Sequence, residues 1–459
     1  MGYIPLLRYR IPLAMTLAIF ALSVTGPTQA NEGDAPVWAM PVAAWPQVSN
    51  EVSQNINALL ADPSIRKTLE DIKANESETF NRTIALTEIP APPFKEEARA
   101  KEFMKMLNSA GLTDARIDKE GNVIALRKGL GAGPLVILDS HLDTVFPIET
   151  DVKVKERNGK YYAPGISDDT HGLSVLVSWA KILELNNIKT VGDLLFVGTV
   201  GEEGNGNLRG ARALLKEYPN ADAFIGFEPL TSGYIVPLNT GVYRYEVKYS
   251  GLGGHSFAAF GTVPSAIHPM GRAIANIANI KVPKNPRTTY NVGIVRGGRS
   301  VNTISPDAIM EIDMRSTDQK QLDILDKKIK GIINKSVEDE NKFIGANPLT
   351  VTINKIGERA AGMTPNNSPL IQAALGSMRA MGQKEEMLIG GSTNAEVPIS
   401  LNIPTIIISP GGTFEGFHAL TEAMDPKDSY KGSQIALITA LTAVGVQGVS
   451  KPVIIKKIK

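Results

Sequence analysis

Five short apolar runs constrain what this chain can fold into: NVIALRK at 122–128, PLVILDS at 134–140, LLFVGTV at 194–200, AFIGFEP at 223–229 and TIIISPGG at 405–412. Within each, the apolar residues are continuous rather than alternating. A strand that carries no polar face is covered on both sides, so the runs predict a parallel or mixed sheet between layers of helix. Helical stretches lie between them. KEEARAKEFMKMLNSAG (95–111) puts Ala100, Phe103, Met104 and Leu107 on one stripe and stops at Gly111, and GLSVLVSWAKILELNN (172–187) fits a crossover.

The period changes near residue 241. VYRYEVKYS (242–250) and SPDAIMEIDMRS (305–316) alternate apolar with polar, as half-exposed antiparallel strands do. One helical stretch, PSAIHPMGRAIANIANI, lies between them. A second, DQKQLDILDKKIKGIINKSVED, follows, and PLTVTINKI closes the set. That order suggests a small ferredoxin-like α+β unit. The α/β pattern then resumes. The expected fold class is therefore α/β: a mixed-sheet catalytic domain in two parts, residues 67–240 and 357–459, with an inserted α+β lid or dimerisation domain at 241–356.

Residues 1–30 read as a signal peptide. Arg8 and Arg10 precede an apolar run of 16 residues, and GPTQA leads to cleavage after Ala30. The run is short for a span of about 20 residues. The expected location is periplasmic or secreted. Residues 31–66 form an N-terminal leader segment to which no chemistry is assigned. The chain has no cysteine, which excludes disulfides, a thiol nucleophile, a lipoprotein anchor and Cys-type metal sites. Any metal must be held by His, Asp and Glu. With 48 basic against 47 acidic residues, a general basic field for nucleic acid is lacking.

Several of the apolar runs end in metal-competent side chains. PLVILDS leads into His141-Leu142-Asp143, LLFVGTVG into Glu202-Glu203, and AFIGF into Glu228. Ligands in open α/β sheets bind beyond the carboxyl ends of the strands, so these groups converge although they are distant in sequence. The spacing of His141 and Asp143 suits a ligand imidazole with a carboxylate behind it. GISDDTHG adds Asp168 and Asp169 in a loop, and GFHALTE adds His418. Each motif alone has an ordinary structural reading as a turn, cap or surface residue. His171 and His268 are read as structural or surface histidines.

Taken together, SHLDTVFP, YAPGISDDTHG, GTVGEEGNGNLRGAR, FEP, GLGGHSF, SVNTISPDAIMEIDMRS, GGSTNAEVP and FHALTE resemble the M20 metallopeptidases, the aminoacylase, carboxypeptidase and tripeptidase group, in the family's order over roughly 70–450. The resemblance implies two zinc ions per subunit. His141 would bind one and His418 the other, with Asp168 bridging. Glu203 and Glu228 would each complete one shell. Asp143 would orient His141, and Glu202 would serve as general base. His255, in the inserted domain, would help stabilise the oxyanion. Asn302 and Arg315, at the lid's N-x-x-x-P and D-x-R positions, would contact substrate. Arg359 is read separately as a candidate to bind a substrate carboxylate. The lid also implies a homodimer. One departure stands out: Asn394 occupies a position where relatives more often carry Asp.

The expected activity is exopeptidase hydrolysis of short peptides by a dizinc-activated water. The alternatives are N-acyl-amino-acid deacylation at the same centre, or a non-catalytic peptide-binding relative. An intact Glu202 argues against the last, because a binder needs no base.

Overall fold

The computed structural model describes residues 46–457, apart from 132 and 385. The expected signal peptide lies outside the described residues. No helix among the described residues is long and apolar enough to cross a membrane.

The continuous apolar runs become the centre of a nine-stranded sheet. Its order is Arg116–Ile117, Val123–Arg127, Asp193–Thr199, Leu135–His141, Ala223–Phe227, Thr405–Ile408, Tyr234–Asn239 and Gly362–Met363, and Met387–Gly391 also pairs Tyr234–Asn239. Leu135–His141 runs parallel to both of its neighbours, and Thr405–Ile408 is parallel to Ala223–Phe227 but antiparallel to Tyr234–Asn239. The sheet is mixed, as the sequence predicts. Helices Glu97–Ser109, Thr170–Leu185, Pro369–Ala380 and Ser429–Val444 contribute to the core on one face. Helix Arg209–Glu217 and the short helix Glu396–Ser400 contribute to a second core cluster with other residues of the sheet. Trp179 is fully buried and meets the edge of Phe227 at 5.3 Å.

Residues 241–359 build a second sheet with its own core. Its four antiparallel strands lie in the order Thr288–Gly297, Asp307–Ser316, Gly241–Ser250 and Thr350–Arg359. Helices Ile267–Ala278 and Gln319–Ile344 share its apolar cluster. The alternation in Asp307–Ser316 is realised residue by residue: Ala308, Met310, Ile312 and Met314 are buried between less buried neighbours.

Two expected boundaries do not coincide with structural breaks. Residue 67 falls inside helix Pro63–Ala74. That helix buries Ile65 and Ile72 in the main core, and helix Asn50–Ala61 buries Val52, Ile56 and Leu59 there too. The second half of the leader is thus part of the α/β fold. Residue 357 falls inside strand Thr350–Arg359, just past the register shift between Lys355 and Gly357.

Candidate metal centre

The parallel register brings the strand ends level. His141 pairs with Thr199, and Asp139 with Gly226. The residues just beyond those ends, Glu202, Glu203 and Glu228, therefore surround the His141 imidazole. Asp168 and Asp169 enter from the loop that precedes helix Thr170–Leu185. His418 enters from a loop after strand Thr413–Glu415, in the left-handed backbone region at φ 61°.

Asp168 occupies the middle. Its Oδ1 lies 2.9 Å from His141 Nε2 and its Oδ2 lies 3.3 Å from His418 Nε2. Each imidazole has a second carboxylate beside it. His418 Nε2 is 3.0 Å from Glu203 Oε1, and His141, Asp168 and Glu228 offer ligand atoms that all lie within 4.8 Å of one another. Asp168, Glu203 and His418 form a second such group, and His141, Glu202 and Glu203 a third. All five residues expected as metal ligands are thus brought together.

The electrostatics are those of an acid-rich pocket. Burial pushes the Glu202 and Glu228 carboxyls well up, reinforced by Glu203 and Asp168 respectively. Burial also opposes the charge on Asp168, but the His141 and His418 imidazoles hold it well below the usual carboxylate range. His418 is raised to about 10 by Asp168 and Glu203. Glu202 Oε1 is buried with no hydrogen-bond partner. Buried charges are normally paired or bound to a metal. Two imidazoles and a set of carboxylates, one carboxylate shared, are hard and borderline donors suited to divalent cations such as zinc. The residues present fit a metal pair.

Asp143 is placed differently from expectation. His141 Nδ1 is 2.8 Å from the Asp143 backbone carbonyl, while the Asp143 carboxylate is 3.8 Å away. That carboxylate instead accepts from the Glu202 amide at 3.0 Å and the Glu203 amide at 2.8 Å. It fixes the glutamate pair, and the backbone carbonyl orients the imidazole.

Two further carboxylates support the centre: Glu422, which the sequence does not single out, and Asp169, the second acid of GISDDTHG. Glu422 accepts from the Gly165, Ser167 and Asp168 amides and the Ser167 hydroxyl, and so shapes the Asp168 loop. Asp169 accepts from Ser140 Oγ at 2.5 Å and the His141 amide at 3.2 Å. A Cβ on Gly172 would lie 2.6 Å from both Asp169 Oδ1 and Ser140 Oγ, so glycine lets the helix approach them. Glu422 closes the FHALTE motif, which was the available signal. Asn394 donates to Asp139 Oδ2 at 3.0 Å and to Thr199 Oγ1 at 2.7 Å. The departure at Asn394 thus supplies a neutral donor to a buried carboxylate.

The remaining expected residues do not meet the cluster in the same way. His255 is exposed, and its Nδ1 accepts from the Phe257 amide. It pairs with Thr303, next to Asn302, whose carbonyl accepts from the Ser256 amide. Among the described residues, neither His255 nor Asn302 bonds to the metal cluster. Arg315 is bound to Asp313 at 2.8 Å. Arg359 is buried, donates to the Glu202 carbonyl and lies beside Glu202 and Glu396, so its partners are internal. His171 is buried, with Nδ1 3.1 Å from Thr83 Oγ1. His268 lies on the surface, 3.3 Å from Glu340.

The family model of peptidase family M20/M25/M40 matches residues 137–442, and the chain belongs to this family of hydrolases. It is 28% identical to carboxypeptidase G2 of Pseudomonas sp. (strain RS-16) over 237 residues, 49% of this chain and 56% of that protein. It is 27% identical to acetylornithine deacetylase of Myxococcus xanthus over 297 residues, 61% of this chain and 74% of that protein. A solved structure of aminopeptidase PepT from Bacillus cereus superposes with a TM-score of 0.67 at 21% identity, covering 80% of this chain and 98% of that one.

Proposed function

We propose that this chain is an exported, dizinc-dependent exopeptidase that hydrolyses amide bonds of short peptides. The observation that carries the reading is the shared carboxylate: Asp168 presents one oxygen to His141 and the other to His418. His141, Asp168 and Glu228 would hold one ion, and Asp168, Glu203 and His418 the other. Bound there, two ions supply an activated water and polarise the scissile carbonyl. Glu202, whose Oε1 accepts no hydrogen bond and whose backbone is fixed by Asp143, takes the proton of the attacking water and passes it to the departing nitrogen. Glu202 is buried, which keeps bulk water from competing in that transfer.

The 241–359 unit acts as a lid in this reading. His255 and Asn302 sit together on it and would reach a bound substrate on closure or from a second subunit, where the His255 imidazole would donate to the developing oxyanion. The strand Thr288–Gly297 is an open edge with Ile294 and Val295 exposed, which suits pairing with a second copy. Export rests on the pattern of residues 1–30.

The similarity to acetylornithine deacetylase supports a second reading, deacylation of N-acyl amino acids at the same centre. Turnover of di- and tripeptides against N-acetyl amino acids, with metal analysis and with and without chelator, separates the two. Glu202→Gln is expected to keep its metal and to lose roughly 10²–10⁴ in turnover. Full activity in that variant would remove Glu202 from the mechanism.

A further inference from the structure

Arg359 ends the strand Thr350–Arg359 and is 7% exposed. Its Nη2 donates to the Glu202 carbonyl at 3.2 Å, and its Nη1 donates to Ser392 Oγ at 2.8 Å. The same Nη1 lies 3.9 Å from Glu202 Oε1 and 3.7 Å from Glu396 Oε1. Ser392 in turn donates to Glu396 Oε1 at 2.7 Å. Glu396 is 2% exposed, and its Oε2 has no partner. One guanidinium thus stands between two buried carboxylates, held by a hydroxyl and a carbonyl.

This arrangement does not suit a receptor for a substrate carboxylate. A third anion at Arg359 would join two within 4 Å of the same cation. It would also have to displace either Ser392 or the Glu202 carbonyl from a charge-assisted bond, and such bonds are the strong ones. What the geometry does favour is control of Glu202, whose carbonyl and carboxylate both face the guanidinium.

We propose that Arg359 is a positioning residue for Glu202, locked by Ser392 and Glu396, and is not the receptor of a substrate carboxylate. The inference rests on Glu202 acting as the base. Glu396 serves as a built-in carboxylate for Arg359, filling the role a substrate terminus would otherwise take.

The test uses the zinc-loaded full protein and a matched pair: a dipeptide that the wild type cleaves and the C-terminal amide of that dipeptide. Arg359→Lys and the isosteric Glu396→Gln are compared with wild type for kcat and KM on both. A misplaced catalytic group costs up to about 100-fold, so both variants are expected to lose roughly 10- to 100-fold in kcat on acid and amide alike. The ratio of the two KM values is expected to stay within about twofold of wild type, since uniform binding is untouched. A KM rise confined to the free acid in Arg359→Lys would overturn the proposal and make Arg359 a carboxylate receptor. Unchanged kcat in Glu396→Gln would overturn the lock. Metal content and melting temperature check folding, and if Arg359→Lys fails to fold, Glu396→Gln carries the test. Wild type that cleaves no peptide of a broad panel would refute the proposed function instead. In that case calorimetry of a free amino acid and of its amide, on wild type and Arg359→Lys, still decides: loss of affinity for the acid alone overturns the positioning role, and parallel behaviour supports it.

Discussion

Asn394→Asp puts back the acid that relatives more often carry, and in this chain it should be costly. Asn394 and Asp139 are both buried, and the amide donates to Asp139 Oδ2 at 3.0 Å. Burial already pushes Asp139 up to about 6, against the pull of Thr199 and Asn394. A second carboxylate there would stand about 3 Å from the first. At an effective dielectric of about 20 the two charges repel by roughly 5 kcal/mol. Taking up a proton costs less. Holding a carboxyl protonated at pH 7, about three pH units above its ordinary pKa, costs roughly 4 kcal/mol. The resulting O–H···O⁻ bond returns about 1 kcal/mol over the amide bond it replaces. The expected loss of stability is therefore about 3 kcal/mol at pH 7. The folded variant binds one proton more than its unfolded chain, so the loss shrinks by about 1.4 kcal/mol per unit as pH falls towards 6, below which Asp139 of the wild type takes up a proton too.

Urea unfolding followed by tryptophan fluorescence measures this, with Trp179 as a buried reporter. The exchange Asp139→Asn with Asn394→Asp restores one amide facing one carboxylate, with the donor on the opposite side. It is expected to recover most of the loss, which gives a coupling energy well above the few tenths of a kcal/mol typical of independent sites. If Asn394→Asp unfolds at the wild-type urea concentration at pH 7, or if the exchange is no more stable than the single variant, the charge reasoning is wrong.

Burial holds His171 down to about 3, so the folded protein keeps it neutral. Below about 6.5 the unfolded chain takes up a proton that the folded one refuses, and stability falls by about 2 kcal/mol by pH 5. His171→Leu should flatten that slope in urea titrations at pH 7 and pH 5; an unchanged slope would assign the acid sensitivity elsewhere. Chelation should abolish turnover and lower the melting temperature, because the carboxylates around Asp168 lose their counter-charge, and added zinc should restore both. A chelated protein as active and as stable as before would end the metal reading. Ile294→Lys with Val295→Lys, on the open edge strand, should turn a dimer into a monomer in sedimentation; a pair-substituted protein that still sediments as a dimer would place the interface elsewhere.

What was legible in the sequence has a common physical origin. Strands covered on both faces leave continuous apolar runs, and the first polar residues after such a run must lie at the sheet's edge. His141, Glu203 and Glu228 were found that way, because the parallel register carries neighbouring ends to the same level. His418 has no such run before it; only the FHALTE motif marked it, and its position depends on a loop that local pattern does not encode. The roles of Asp143, Glu396 and Arg359 were illegible for a different reason. Asp143 accepts from the Glu202 and Glu203 amides across 59 and 60 positions, and Arg359 meets Glu202 across 157. In residues 50–66 the helical spacing of Val52, Ile56 and Leu59 is visible in the sequence, but not that this stripe joins the core of the sheet. Pattern in one chain segment reports which face is dry. It does not report which polar group from elsewhere arrives to share that dryness, and the residues that tune this centre, Glu422 from after the His418 loop and Glu396 from beside Ser392, are all of that second kind.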